Sequence, residues 1–310
     1  MYRLQKWFFD LLTPSGEYVY AYVAVVRLAG REFRSLTLHV ARPVQGLMLT
    51  RSIPVVGCEQ TEDAGEHRVI RLQAGEIVIG GDSCTLEVHD NRCFVNLRYE
   101  GCGKDNPMPV KISTASHHHI LWRPLHLKYR VAGAVAVDDQ RIGAHGAYGY
   151  VDYLECTYLP PGVPVRSLYW GRLHHPDFDL VYMHALGKRG TPAWSGVCGR
   201  MCGKQIGGSD LALRIAAGKR GVGGTDGYEL RWGDRGREIV VNVRHVAPVQ
   251  QGSFIDQQEF RSSAARSILK CLTRNPRGEK YLSSADAILS VGDTSQFINN
   301  IPMIDEYTLL

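Results

Sequence analysis

The sequence lacks several features that identify large classes of proteins. Its 310 residues contain no run of five or more basic side chains, and the net charge is only +5. Proteins that bind nucleic acid concentrate positive charge in runs or patches, so we expect no nucleic-acid partner. No apolar stretch of about twenty residues is present either, which argues against stable membrane insertion through a helix.

The amino terminus also lacks the marks of a secretion signal. MYRLQKWFFDLL carries charge early and reaches a turn by Pro14, without an apolar core or a small-residue cleavage site. We therefore expect a cytoplasmic protein. Its eight cysteines are few for this length, and in that compartment they are predicted to be reduced and mostly buried thiols.

Motifs for cofactors, metals and nucleophilic catalysis are missing as well. The glycine-rich stretch Gly218–Gly227 has neither dinucleotide-binding spacing nor a following Gly-Lys-Ser/Thr, so it is predicted to be a hairpin or lid loop. His117 and His119 have no third ligand in their segment, and no G-x-S-x-G motif occurs. We predict neither a metal nor a cofactor.

The sequence does contain strong period-two alternation of apolar and polar residues. Glu17–Leu28 reads EYVYAYVAVVRL, and similar segments recur between turns at intervals of about eight to twelve residues. This pattern predicts an all-β chain built from antiparallel barrels or sandwiches. The best helix candidate is Glu259–Leu272, whose apolar residues recur at helical spacing.

The predicted strands are too many for one small barrel, so two β-domains are expected. The polar, turn-rich stretch Gly101–His119 is followed by an extended segment in which Pro124 disfavours a central ladder position. We place the boundary there, which gives domains of residues 1–128 and 129–310.

Two short strands carry an unusual concentration of polar and aromatic side chains. GYVDY (Gly149–Tyr153) is followed by YWGR (Tyr169–Arg172). Alternation puts each of two sets on a common face: Tyr148, Tyr150 and Asp152, then Trp170, Arg172 and His174. A hairpin would place Asp152 across from Arg172. Asp152 is then an ion-pair partner, a solvated carboxylate, or a desolvated acid that protonates an alkene or carbonyl.

The same segments resemble a known family. The run from Tyr129 to Tyr153 with the later YWGR, and the opening KWFFDLLTPSGEYVYAYVAVVRL, are similar to the carotenoid 1,2-hydratase (hydroxyneurosporene synthase) type of lipocalin-like proteins. The resemblance covers the start and the middle of the chain. The family's usual Asp-His-x-Trp-Gly run is absent, because YLECT follows Asp152.

The resemblance implies two lipocalin-like barrels in one chain. The family includes hydratases, terpenoid cyclases and lipocalin-like Diels–Alderases. The resemblance implies that Asp152 and Tyr150 are candidate catalytic residues and that Trp170 lies beside them as a substrate-binding candidate. The substrate-binding candidates that we add come from the alternation and from the aromatic opening stretch: Arg172, Tyr148, His174 and Trp7.

We therefore expect a cofactor-independent cyclase, Diels–Alder-like or proton-initiated, that acts on a large apolar polyketide or terpenoid intermediate. Its pocket is expected at a barrel mouth or between the two domains. The alternatives are a hydratase of an isoprenoid or carotenoid alkene and a non-catalytic carrier of an apolar ligand. The missing run favours the cyclase over the hydratase. The expected partner is a hydrophobic small molecule, and the sequence leaves a homo-oligomer open.

Overall fold

The computed structural model describes most of the chain. The described residues are 2–60, 68–80, 82–102, 109–113, 118–159, 162–176, 178–187, 192–201, 204–208, 214–216, 220–221, 224–225, 227–234, 236–253 and 277–309. Within them the chain forms antiparallel strands, with one 3-10 turn at Pro43–Gln45. The all-β prediction is confirmed. The helix predicted at Glu259–Leu272 lies outside the described residues.

Twelve strands make up the first sheet. They are β1 (Arg3–Leu12), β2 (Tyr18–Leu28), β3 (Arg31–Arg42), β4 (Leu47–Gln60), β5 (Arg68–Leu72), β6 (Gly75–Ile79), β7 (Ser83–His89), β8 (Cys93–Gly101), β9 (Val110–Ser113), β10 (His119–Val137), β11 (Gln140–Gly143) and β12 (Ala147–Cys156). Ten of them run in the order β10-β12-β1-β2-β3-β4-β5-β6-β7-β8, and β8 pairs back onto β10. The sheet is therefore a closed ten-stranded barrel.

Closure of this barrel depends on the backbone at Gly133. Its φ is +111°, a conformation that L side chains rarely adopt, and a Cβ there would clash with the carbonyl oxygen of Asn96 on β8. The glycine therefore lets β10 approach β8 closely enough to complete the ring of strands.

In the described part of the chain, eleven strands follow the first sheet. They are β13 (Val165–His174), β14 (Phe178–Gly187), β15 (Pro192–Met201), β16 (Lys204–Gly208), β17 (Arg214–Ala216), β18 (Arg220–Gly221), β19 (Gly224–Thr225), β20 (Tyr228–Asp234), β21 (Arg237–Ser253), β22 (Arg277–Val291) and β23 (Thr294–Leu309). Nine of them form a curled half-barrel in the order β16-β15-β14-β13-β23-β22-β21-β20-β17. The remaining two, β18 and β19, pair with each other.

The chain divides into two compact units, and the division in the described chain follows Leu159. The predicted boundary at 128/129 is earlier. It would cut through β10, which pairs with β8 and β12 on either side of that point. A cut there would open the first barrel, so the whole of β10 and β12 belongs to the first unit.

Each unit has its own apolar core. In the first, alternate residues of all ten barrel strands contribute to one cluster, among them Phe9, Val40 and Val95. In the second, the cluster includes Leu173, Phe178, Trp232 and Met303. Because side chains alternate along a strand, the residues between these positions lie on the opposite face of each sheet.

Candidate functional site

Contacts across the first barrel show which face of β1 points inward. Phe9 on β1 and Tyr99 on β8 approach to 6.1 Å between ring centroids, although β1 and β8 are not neighbours in the sheet. Trp7 shares the face of Phe9, and both belong to the core cluster. Phe8 and Asp10 alternate with them and therefore point outward.

The strand registers gather a group of side chains on this outward side. Phe8 lies opposite Asp152 on β12 and Tyr22 on β2, while Asp10 lies opposite Tyr150 and Tyr20 in the same way. Directly paired residues point to the same face of a sheet. We call this group the outer aromatic face and define it as Lys6, Phe8, Asp10, Tyr18, Tyr20, Tyr22, His39, Trp122, Tyr150 and Asp152.

Aromatic rings on this face form a continuous surface. Tyr18 stacks on Tyr20 at 5.1 Å, and Tyr20 stacks on His39 at 4.3 Å. The Nζ of Lys6 lies 4.0 Å from the centroid of the Tyr22 ring. Aromatic faces attract positive charge, so a surface of this kind can stabilise a cation that develops during a reaction.

Asp152 is the acid on this face, and only 6% of it is exposed. Its Oδ2 accepts a hydrogen bond from Nε1–H of Trp122 at 3.0 Å. Burial raises the pKa of Asp152 to about 6, and the negative charge of Asp10 adds to the rise. The hydrogen bond from Trp122, the charge of Lys6 and the nearby Tyr150 hydroxyl oppose the rise. Asp152 can therefore carry a proton near neutral pH, as a general acid must.

Asp10 has a different environment on the same face. It is fully buried, and its Oδ2 accepts a hydrogen bond from the hydroxyl of Tyr18 at 3.0 Å. Asp10 follows Phe8 by two residues on β1, and Phe8 is the direct partner of Asp152. The outer aromatic face thus holds two carboxyl groups, Asp10 and Asp152.

The predicted hairpin between Asp152 and Arg172 does not form. β12 pairs with β1 and β10, whereas β13 pairs with β14 and β23 in the other sheet. The predicted face is present on β13, because Trp170, Arg172 and His174 alternate with the core residue Leu173. Local alternation was therefore a correct guide to the faces, and the assumed pairing of the two strands was wrong.

The β13 residues lie among charged side chains of the second unit. Nζ of Lys280 is 3.0 Å from Glu306 and 5.7 Å from the Trp170 ring. His174 approaches Asp179 at 3.2 Å between Nδ1 and Oδ1, and Arg172 is almost fully buried. This face can therefore hold polar groups of a ligand as well as apolar ones.

The two remaining candidates lie apart from Asp152. Tyr148 shares the strand and parity of Asp152, but it is 43% exposed and its ring lies 4.1 Å from Nζ of Lys128. Trp7 faces the barrel interior, where its ring centroid is 5.2 Å from that of Tyr153. It therefore lies on the opposite side of the β1–β12 wall from the outer aromatic face.

A second polar cluster lies on the core-facing side of the second sheet. Asp305 accepts a hydrogen bond from Nε2–H of His245 at 3.0 Å and another from the hydroxyl of Ser283. Tyr182 and Tyr228 are joined through their hydroxyls, and burial raises the pKa of both phenols. These side chains were not predicted, because they come from five strands that are far apart in the sequence.

Most members of the outer aromatic face were not predicted from the sequence. Tyr18, Tyr20 and Tyr22 recur at period two in YVYAY, and this was the one local signal of an aromatic surface. Trp122 stands two residues before Pro124, in a segment that was predicted to separate the domains. Its hydrogen bond to Asp152 is set by the pairing of β10 with β12.

The described residues contain neither a metal-binding cluster nor a membrane-spanning helix. No group of three or more His, Cys, Asp and Glu there could hold a metal ion. No helix in the described part of the chain is long and apolar enough to cross a bilayer. An open cavity of about 460 Å³ is lined by Asp90–Phe94, Ala136, Asp138 and Asp139, and none of these is a predicted site residue.

Comparisons with known proteins support the fold. No protein-family model and no curated protein matches the chain. A crystal structure of CghA with a bound compound has a TM-score of 0.69 at 13% identity, over 100% of this chain and 89% of that one. Kievitone hydratase from Nectria haematococca has a TM-score of 0.55 at 9% identity, over 98% and 88%. The chain thus has the lipocalin-like fold shared by these two proteins.

Proposed function

We propose that the protein is a cofactor-independent enzyme that cyclises a large apolar polyketide or terpenoid intermediate, with the outer aromatic face as its active site. The observation that carries this proposal is Asp152. It is a buried carboxyl group with a pKa raised to about 6, it lies directly opposite Phe8, and it accepts a hydrogen bond from Trp122. Such a group is costly to keep in a fold unless it is used.

The proton-initiated form of the reaction follows from this arrangement. Asp152 donates its proton to an alkene or carbonyl of the folded substrate, so that an O–H bond breaks and a new C–H or O–H bond forms. Electrons of a second double bond then close the ring onto the cationic carbon. Loss of a proton from the cyclised cation to the Asp152 carboxylate restores the acid.

The protein groups around Asp152 support both of its protonation states. Because Oδ2 accepts the hydrogen bond from Trp122, the acidic proton is best placed on Oδ1. Once that proton has left, the hydrogen bond from Trp122, the charge of Lys6 and the nearby Tyr150 hydroxyl stabilise the carboxylate. In a Diels–Alder-like reaction, Tyr150 would instead polarise a substrate carbonyl while the pocket holds the reacting carbons together.

Hydration is the second candidate, since the same acid could protonate an isoprenoid alkene and leave the cation for water to capture. It is favoured by the raised pKa of Asp152, which a proton-initiated hydratase also requires. Kievitone hydratase shares the fold, although its 9% identity gives no residue-level support. The two reactions differ in whether the product gains the mass of one water.

Trp170, Arg172, His174 and Tyr148 are retained as proposed substrate-binding residues, whereas Trp7 is not, because it faces the interior of the first barrel. The charged neighbours of the β13 face would suit a substrate with a polar head, since Lys280 and Arg172 are both buried there. A non-catalytic carrier would use the same residues. It would keep its ligand affinity, and show no turnover, in every Asp152 variant.

Gene deletion with complementation tests the proposal. Extracts of the producing organism are compared by mass spectrometry after complementation with wild type, Asp152→Asn or Asp139→Asn, the last being an exposed control on the same barrel. A cyclase predicts an accumulated linear isomer of the product with Asp152→Asn and normal product with Asp139→Asn. A precursor lighter by one water would indicate the hydratase. Full complementation by Asp152→Asn would refute proton transfer from this residue.

A further inference from the structure

We propose that the first barrel carries a second binding site, which recognises the carboxylate of a planar organic acid through Arg68. This site lies on the inner side of the β1–β12 wall, at the barrel end where β1 begins and β12 ends. It uses neither Asp152 nor the outer aromatic face, so it stands independently of the proposed cyclase activity.

Arg68 reaches across the barrel to form this site. It belongs to β5 and has the inward parity of Ile70 and Leu72, which are core residues. Its guanidinium carbon lies 5.1 Å from the Trp7 ring centroid and 5.4 Å from that of Tyr153. Since β5 is not a neighbour of β1 or β12, the side chain must span the barrel opening.

The nearby carboxylate of Glu155 already has its own partners. Nη2 of Arg3 lies 2.7 Å from its Oε2, the hydroxyl of Tyr153 donates to it at 2.6 Å, and His119 Nε2 lies 2.9 Å from its Oε1. Burial raises the pKa of Glu155, but these three hydrogen bonds outweigh burial and leave it below the ordinary value. Glu155 is therefore an ionised group whose charge Arg3 balances.

The charge of Arg68 is not balanced in the same way. Among the residues that the structure describes, none offers Arg68 a carboxylate within ion-pair distance, and its contacts are the two aromatic rings. Arg3 and Glu155 compensate each other, and no carboxylate among the described residues does the same for Arg68. An anion is the ligand that such a site attracts.

The rings beneath Arg68 favour a planar anion. Trp7 and Tyr153 meet at 44° with their centroids 5.2 Å apart, and the Gln5 amide holds the Tyr153 hydroxyl at 2.8 Å. A guanidinium held by aromatic faces keeps its N–H edges for the two oxygens of a carboxylate. An aryl or conjugated acid would add contact with the same rings.

Access to this site is open at its rim. The Arg3 side chain is 41% exposed and that of His119 is 24% exposed, while Arg68 itself is half-buried. The competing explanation is that Arg68 only covers the apolar core with its aliphatic stem. A cover of that kind would not distinguish an acid from its uncharged amide.

Benzoate is the probe, with benzamide as its uncharged counterpart and inorganic phosphate as a non-planar anion. Calorimetry on the full-length protein should show saturable benzoate binding, and weaker or absent binding of the other two. Arg68→Gln should weaken benzoate by about ten- to hundredfold, as expected for a charge-assisted bidentate contact. The benzoate affinity of Arg68→Lys should lie between those of wild type and Arg68→Gln. Arg71→Gln, on the exposed side of the same strand, and Asp152→Asn should bind benzoate normally.

Three results would overturn the proposal: equal binding of benzoate and benzamide, binding of phosphate as tight as benzoate, or unchanged benzoate affinity in Arg68→Gln. The comparison of the three probes uses wild-type protein, so it stands even where Arg68→Gln fails to fold. Arg68→Met keeps the stem without the charge and should lose benzoate while retaining its thermal stability. Loss of benzoate binding in Asp152→Asn would instead indicate that benzoate binds at the outer aromatic face, and it would contradict a separate site at Arg68.

Discussion

The replacement of Asp152 by asparagine tests whether Asp152 is a buried acid with a raised pKa. This test requires no knowledge of the substrate. Asparagine has nearly the same shape, and its Oδ1 can still accept the hydrogen bond that Trp122 donates. The change therefore removes the ability to ionise and leaves most contacts in place. It separates a desolvated acid from an aspartate that stabilises the fold through an ion pair.

The expected magnitude follows from the pKa. Burial raises the pKa of Asp152 from 3.8 to about 6. At about 1.4 kcal/mol for each pH unit, ionisation of this group in the native state costs roughly 3 kcal/mol of unfolding free energy. Asparagine does not ionise, so the free energy of unfolding of the variant does not include this cost at any pH.

The direction of the pH dependence is fixed by the same shift. Between pH 3.8 and about 6 the native protein keeps a proton on Asp152 that the unfolded chain releases. The stability that this group contributes is complete below pH 3.8 and is lost as the pH rises through about 6. The unfolding free energy of wild type should therefore fall by roughly 2 kcal/mol relative to Asp152→Asn between about pH 4 and pH 7.

Urea unfolding at a series of pH values measures this difference, with tryptophan fluorescence and far-ultraviolet circular dichroism as probes. Asp139→Asn is the matched control, because Asp139 is an exposed aspartate of the same barrel. The raised pKa of Asp152 is refuted if wild type gains stability relative to Asp152→Asn as the pH rises. That sign belongs to a carboxylate with a lowered pKa, and Asp152 would then be an ion-pair partner.

Three further outcomes are expected. Trp122→Phe removes a hydrogen bond that lowers the pKa of Asp152, so the pH at which turnover is half-lost should move upward, as a pH–rate profile would show. Glu155→Gln should show the opposite stability pattern to Asp152→Asn, because the pKa of Glu155 is lowered. In the same urea series, wild type should gain stability over this variant as the pH rises through about 4.5. A loss of stability over that pH range would contradict the hydrogen bonds assigned to Glu155. Gly133→Ala should lower the free energy of unfolding by on the order of 3 kcal/mol, or prevent folding. Gly143 has open space around it, so Gly143→Ala should leave thermal unfolding nearly unchanged. Equal effects of the two substitutions would refute the role of Gly133 in barrel closure.

The fold and the faces of its strands could be read from local sequence. Period-two alternation depends on neighbours within a few residues, so it placed Tyr150 with Asp152, and Trp170 with Arg172, on common faces. The partner of each strand is a long-range property. β12 pairs with β1, about 150 residues earlier in the chain, and no local pattern contains that information.

Inside and outside are equally hard to distinguish in this barrel. Trp7, Phe8 and Phe9 are all aromatic and all buried, so composition does not say which of them faces the interior. Trp7 was predicted to share a site with Asp152, whereas the register places Phe8 directly opposite Asp152. A buried outward face removes the polar–apolar contrast on which such an assignment depends.

The β1–β12 wall has a consequence for how these strands can evolve. Odd positions such as Trp7 and Tyr153 belong to the inner side, and even positions such as Phe8 and Asp152 belong to the outer side. Substitutions can change one side while leaving the other intact. Insertion or deletion of a single residue would exchange the two sides over the rest of the strand, sending a carboxyl group into the core and a core tryptophan outward. These strands should therefore drift in identity while their length stays constant.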